Sequence, residues 1–148
     1  MRAHQARAWN LVSECAPYAR LESFMNILLV EDSDEVSCIT VEYLHELGHE
    51  VVAVADAEKA ISQVRRTSFD AVMTDIRLPG MSGIELARTL VKAYPRLPVV
   101  IASGYAGMNV ELLMGEKVPT VLMLPKPYDL SALKRTLSEA ASAAANSL

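Results

Sequence analysis

Residues 69–85 read Phe-Asp-Ala-Val-Met-Thr-Asp-Ile-Arg-Leu-Pro-Gly-Met-Ser-Gly-Ile-Glu, and this stretch decides the fold. The apolar run Ala71, Val72, Met73 is long enough for a buried strand and too short for a helix. It ends at Asp75 and a loop carrying Pro79, Gly80 and Gly83, residues that stop a strand and turn the chain. Ser82 and Glu85 have the Ser-x-x-Glu spacing of a capping box, and Ile84, Ala87, Val91 and Tyr94 recur along one face of the helix it opens. Strand, polar turn and amphipathic helix form one β-α unit. Asp75 stands at the carboxyl end of its strand, where open α/β sheets place their ligands.

The same unit repeats on both sides. Residues 26–30 predict a strand, apolar without a break from Ile27, that stops at Glu31-Asp32-Ser33-Asp34, and Val36, Ile39, Tyr43 and Leu47 then mark one helical face that Gly48 terminates. Residues 51–54 predict a second strand, with Asp56 as N-cap of a helix whose Ala57, Ala60, Ile61 and Val64 share a face. A fourth strand spans residues 98–102 and leads to Ser103-Gly104. Residues 105–117 form the weakest helical segment, interrupted by Gly107 and Gly115. A fifth strand over residues 118–124 is stopped by Pro125-Lys126-Pro127, because prolines on both sides of one residue cannot continue a ladder. Asp129 caps a last helix with Leu130, Leu133 and Leu137 inward. Five nearly continuous apolar strands alternating with helices predict a parallel sheet covered on both faces, a three-layer α/β/α domain.

Composition fits one domain. The 148 residues are 51% hydrophobic and 22% charged with a net charge of -4, which supports a sizeable core and leaves no basic footprint for nucleic acid or an anionic membrane. Cys15 and Cys38 are far apart and lack metal-ligand spacing, so a reduced, cytoplasmic setting is expected. No apolar run approaches the roughly 18 residues of a membrane helix, and residues 1–24 lack the apolar centre of a signal peptide. Residues 1–24 read as a weakly ordered extension, with Trp9, Leu11 and Val12 as its candidate docking residues. The domain is expected over residues 25–141, followed by a tail over 142–148.

In a parallel sheet the strand ends gather on one edge. Glu31, Asp32, Asp75, Ser103 and Lys126 therefore converge. Taken singly, each is an ordinary polar loop residue. Together, three carboxylates in one crevice repel unless their pKa values rise or a cation binds, and all-oxygen donors with room for water suit Mg²⁺. Lys126 can pair with Asp75 or a phosphoryl oxygen, and the Ser103 hydroxyl can donate to the same group. His4, His45 and His49 fit surface or capping roles better than catalysis.

Residues 29–33 (Leu-Val-Glu-Asp-Ser), 73–83 (Met-Thr-Asp-Ile-Arg-Leu-Pro-Gly-Met-Ser-Gly), 102–105 (Ala-Ser-Gly-Tyr) and 124–128 (Leu-Pro-Lys-Pro-Tyr), in that order, resemble the receiver domain of two-component response regulators. The resemblance implies a flavodoxin-like (βα)5 fold with strand order 2-1-3-4-5. It also implies that Asp75 accepts a phosphoryl group from a histidine kinase or histidine phosphotransfer protein. Glu31, Asp32, Asp75 and the backbone carbonyl of Arg77 would hold Mg²⁺, and Ser103 and Lys126 would contact the phosphoryl group. One position departs from the pattern: Met123 stands where the family often has an aromatic switch residue, and methionine is flexible.

A Mg²⁺-dependent phosphatase with an aspartate nucleophile would use similar groups. Such enzymes resemble Asp-x-Asp-x-Thr, with a second acid as proton carrier, and here Arg77 occupies that position. Without that carrier, turnover drops by about 10²- to 10⁴-fold, so a stored phosphoaspartate is expected rather than an enzyme. A single-domain response regulator acting on a downstream protein is the first reading, and a receiver detached from a hybrid histidine kinase the second.

Overall fold

The computed structural model describes residues 24–104 and 108–146. The expected extension, apart from Phe24, lies outside these residues, as do Tyr105 and Gly107. In chain order the elements are β1 (Asn26–Val30), α1 (Asp34–Glu46), β2 (Glu50–Val54), α2 (Ala57–Arg66), β3 (Ala71–Asp75), α3 (Gly83–Ala93), β4 (Val99–Ser103), α4 (Val110–Met114), β5 (Val121–Pro125) and α5 (Leu130–Asn146). All strand pairs are parallel, in the order β2-β1-β3-β4-β5.

Period-two alternation sends neighbouring strand residues into opposite layers. Ile27, Leu29, Ala71, Met73, Val100, Ala102 and Leu124 pack against Leu44 of α1 and Leu133, Leu137 and Ala140 of α5. Leu28, Val30, Val72, Val99, Ile101 and Val121 pack on the other face against α2, α3 and α4. Each fully buried Leu, Ile or Val contributes about 1.5–3 kcal/mol, so both layers hold the sheet. Strand ends are thus fixed by two cores.

The helix starts follow their capping chemistry. Asp56 Oδ1 accepts from Lys59 N at 2.8 Å. Ser82 and Glu85 form the reciprocal box, at 3.0 Å and 3.2 Å. Asp129 Oδ1 accepts from Ala132 N at 2.8 Å. α1 has a cap the sequence reading missed: Ser33 Oγ accepts from Val36 N at 3.3 Å.

Two expectations are corrected. The inner face of α1 is Thr40 and Leu44, with Val41, Tyr43 and Leu47 packed beside them, whereas Val36 and Ile39 are exposed. Both readings obey helical spacing; Thr40 is admitted to the core because its hydroxyl reaches Tyr128. β5 begins at Val121 rather than residue 118. Pro119 and Thr120 form a turn closed by Val121 N donating to Val118 O at 3.0 Å, and Pro119 has no N–H for a ladder. α5 runs to Asn146, and its Ala-rich end has high helix propensity.

The start of the sheet is tied by a polar knot. Asn26 N donates to Asp70 Oδ2 at 2.7 Å, and Met25 N donates to His49 Nδ1 at 3.1 Å. Burial lowers the His49 pKa below its ordinary 6.5, partly offset by Asp70. A base with a depressed folded pKa contributes stability above the unfolded value and loses it as pH falls below 6.5 toward the folded one. Protonation also removes the acceptor of Met25 N. Wild type should therefore lose melting temperature more steeply between pH 7 and 5.5 than His49→Leu; parallel curves would show that His49 titrates alike folded and unfolded.

Candidate functional site

The sheet order places the site. From β1 the chain turns to β2 on one side, and β3 returns to the other, so β1 and β3 flank the point where the winding reverses. Helices leave that point in opposite directions and open a crevice at the strands' carboxyl ends. Val30 pairs with Thr74 and Asp75 with Ala102. Glu31 and Asp32 follow β1 directly, Asp75 ends β3, Ser103 ends β4 and Lys126 follows β5.

The structure brings the three acids together. One carboxylate oxygen from each of Glu31, Asp32 and Asp75 lies within 4.8 Å of the others. Their settings differ. Glu31 is buried at 8% exposure, Asp75 is half-buried and Asp32 is exposed. Glu31 Oε2 accepts from Ser33 N at 3.1 Å, and Glu31 N donates to Val54 O at 3.0 Å. Burial raises the Glu31 pKa above its ordinary 4.5; the Ser33 hydrogen bond and Lys126 pull it down, while Asp75 and Asp32 push it up.

Lys126 meets Asp75 directly, with Nζ 3.3 Å from Oδ1. The same Oδ1 accepts from Ile76 N at 2.8 Å. Lys126 N donates to Ser103 O at 2.7 Å, which continues the β4-β5 pairing past the strand ends and aims the lysine into the crevice. Ser103 is buried at 3% exposure. Arg77, two residues after Asp75, is exposed on the loop to α3.

Charge matching follows from this set. Two like charges 4 Å apart repel by about 4 kcal/mol at an effective dielectric of 20, so a triad of carboxylates is costly. Lys126 offsets one negative charge, and two remain, the charge of one divalent cation. Carboxylate oxygens are hard donors, and the exposed side of Asp32 leaves room for water, which together fit Mg²⁺ better than a softer metal.

Two features were not legible in the motifs. Gly83, read as a loop residue, is buried at the first turn of α3, where a Cβ would collide with the backbone carbonyl oxygen of Asp75. Its N–H donates to Ile76 O at 2.8 Å, closing the loop between Asp75 and α3 on itself. The second is a link from Thr40 to Tyr128, whose oxygens are 3.3 Å apart. Both arise only from the folded chain, because no spacing in the sequence pairs positions 40 and 128 or sets Gly83 against Asp75.

Comparison with known proteins converges on one family. The family model described as a response regulator receiver domain matches residues 27–138. The response regulator protein FleR of Pseudomonas aeruginosa is 33% identical over 107 residues, covering 72% of this chain and 22% of FleR. The transcriptional regulatory protein ZraR of Klebsiella oxytoca is 34% identical over 118 residues, 78% of this chain and 26% of ZraR. The sensor protein TorS of Escherichia coli is 29% identical over 117 residues, 77% of this chain and 12% of TorS. The chain thus spans between 12% and 26% of the length of these relatives. Among solved structures, the receiver domain of the sensor histidine kinase PA1611 of Pseudomonas aeruginosa, with a magnesium ion coordinated in its active-site cleft, is 26% identical with a TM-score of 0.70, covering 81% of this chain and 99% of that one. TrrA of Thermotoga maritima, in complex with Mg(2+)-BeF, has a TM-score of 0.69 at 23% identity, over 78% of this chain and 97% of that one, and supports the fold.

The Gly83 contact yields a test. Gly83→Ala forces backbone to move at the end of β3, at a cost of about 1–3 kcal/mol typical of overpacking. The variant should melt lower than wild type, whereas Gly104→Ala, with nothing near its Cβ position, should not. Equal melting temperatures for Gly83→Ala and wild type would refute the close approach.

Proposed function

The chain belongs to the response regulator receiver domain family, and on that premise we propose that Asp75 is the phosphoacceptor of a two-component phosphorelay. The observation that carries this reading is the Asp75 carboxylate, which shares one crevice with two further acids and is contacted by Lys126 at 3.3 Å. The donor is a phosphohistidine on a histidine kinase or a histidine phosphotransfer protein. An Asp75 carboxylate oxygen forms the new O–P bond as the P–N bond breaks, and the departing imidazole carries away the electron pair and takes up a proton from solvent. This transfer needs positioning and charge neutralisation more than covalent assistance.

Each neighbour has a role in that step. Glu31, Asp32, Asp75 and the carbonyl of Arg77 would hold Mg²⁺, which when bound supplies charge neutralisation to the phosphoryl oxygens. Lys126 exchanges part of its pairing with Asp75 for a phosphoryl oxygen, and the Ser103 hydroxyl donates to the same group. The raised Glu31 pKa means protons compete with the metal at this ligand, so loading weakens as pH falls toward the Glu31 value.

The protein then stores a signal rather than turning over substrate. Arg77 stands where an aspartate-nucleophile phosphatase would carry its proton donor, and an arginine does not release a proton at neutral pH. The acquired dianion draws Ser103 inward and biases the segment that follows. That segment contains α4, only five residues long and ended by Gly115 at φ 80. Met123 is half-buried against the layer that includes α4, and as a flexible side chain it accommodates both arrangements without an aromatic rotamer switch. Output passes through contact with a downstream protein in the cytoplasm, with no role for nucleic acid binding by this domain. The resemblance to TorS favours a second assignment within the same chemistry, the receiver of a hybrid sensor kinase.

Acetyl phosphate with Mg²⁺ should add one phosphoryl group to the intact protein, none to Asp75→Asn, and none in excess chelator. Equal labelling of Asp75→Asn would refute the acceptor, and labelling in chelator would refute the metal. Incubation with p-nitrophenyl phosphate should release p-nitrophenol no faster than the Asp75→Asn control; steady turnover above that control would favour the phosphatase.

A further inference from the structure

The loop that carries Lys126 is held at its far side by a contact that the phosphoacceptor reading does not use. Upstream, Lys126 is fixed by its backbone N–H on Ser103 O at 2.7 Å. Downstream, Pro127 has no N–H to give, and the next side chain anchored to another element is Tyr128. Its hydroxyl lies 3.3 Å from Thr40 Oγ1. Its ring meets Tyr43 edge-on, with centroids 6.5 Å apart and planes at 68°.

Both partners of Tyr128 stand on α1, the helix that starts immediately after the acidic pair. Thr40 is 3% exposed on the inner face of α1, a hydroxyl admitted to an apolar layer. A buried hydroxyl without a partner costs about 1–3 kcal/mol, so Tyr128 also satisfies Thr40. Burial pushes the Tyr128 pKa up so that its hydroxyl remains protonated, with the Thr40 hydrogen bond and Lys126 pulling the other way.

We propose that Tyr128 is a positioning residue: its hydroxyl bond to Thr40 clamps the Lys126 loop to α1, fixing Lys126 Nζ relative to the acidic cluster and so speeding phosphoryl transfer to Asp75. The clamp joins two strand ends that are not neighbours in the sheet, the end of β1 with its acids and the end of β5 with its lysine. Ladder hydrogen bonds space neighbouring strands at about 4.8 Å, but none of them ties the loop beyond β5 to α1. A side-chain bond over one face of the sheet does. Loss of the hydroxyl leaves the metal ligands where they are and frees the lysine.

This inference rests on Asp75 being the acceptor, and its test separates the two. With the full chain, acetyl phosphate and saturating Mg²⁺, Tyr128→Phe keeps the ring and should lower the labelling rate constant by about three- to tenfold, the range of one lost hydrogen bond. The Mg²⁺ concentration giving half-maximal rate should stay at the wild-type value. Thr40→Val should lose the same factor, and the double variant no more than either single one, because both remove one bond. In a Lys126→Ala background, with labelling followed over hours, Tyr128→Phe should have no further effect. A wild-type rate in Tyr128→Phe overturns the clamp. So does the same fractional loss in the Lys126→Ala background, which is what general loosening of the domain would give, and so does a shifted Mg²⁺ requirement. A wild-type protein that takes up no phosphoryl group overturns the premise instead.

Discussion

Three carboxylates held within reach of one another are the constraint on which the rest of this structure depends. Left alone, such a cluster opposes folding, and the fold carries it only by supplying compensation from every side. Lys126 offsets one charge from the end of β5. Backbone N–H groups of Ser33 and Ile76 donate to Glu31 and Asp75. The remaining double negative charge equals that of one divalent cation in size, and such an ion would balance it. That the domain tolerates the cluster at all reflects two apolar layers, one on each face of the sheet, which hold the strand ends whatever the charges prefer.

Sheet order converts that constraint into a site. With β3 central and β1 beside it, the acidic pair and Asp75 sit on adjacent strands at the reversal of winding, while Ser103 and Lys126 approach from the next two strands. Residues on α1 and α5 cover one face and those on α2, α3 and α4 the other, leaving the carboxyl edge uncovered. The loop after β3 is closed tightly, with Gly83 against the Asp75 backbone. The segment after β4 is held more lightly: α4 has five residues, and Arg88 Nη2 of α3 donates to Leu113 O at 2.6 Å. A signal stored on Asp75 would thus meet a stiff loop on one side and a small, tethered helix on the other.

Much of this was legible in the chain because it is local. Apolar runs marked all five strands, since a strand buried on both faces has no polar alternation to confuse the reading. Ser82 with Glu85, Asp56 and Asp129 announced helix starts through residue types that satisfy orphan N–H groups. Acids, serine and lysine at strand ends pointed to the candidate site once the sheet was taken as parallel. What the sequence hid is long-range. The inner face of α1 could not be chosen from periodicity alone, because Val36 and Ile39 satisfy the same spacing as Thr40 and Leu44, and the decision belongs to Tyr128, far away in the chain. Pro119 delayed the start of β5 through a turn that an apolar tally overlooks. Gly83 looked like a loop glycine because nothing in its neighbours reports that a backbone carbonyl lies where its side chain would be.

As phosphoacceptor, Asp75 would form an acyl phosphate, and that bond can be trapped chemically. Borohydride reduces an acyl phosphate to an alcohol, turning a phosphorylated aspartate into homoserine. After treatment with acetyl phosphate and Mg²⁺, reduction and digestion, tandem mass spectrometry of the peptide spanning residues 67–77 should find homoserine at position 75 and unmodified Glu31 and Asp32 in the peptide from β1. Homoserine at position 32, or its absence at position 75 in protein that has taken up a phosphoryl group, would contradict the central claim.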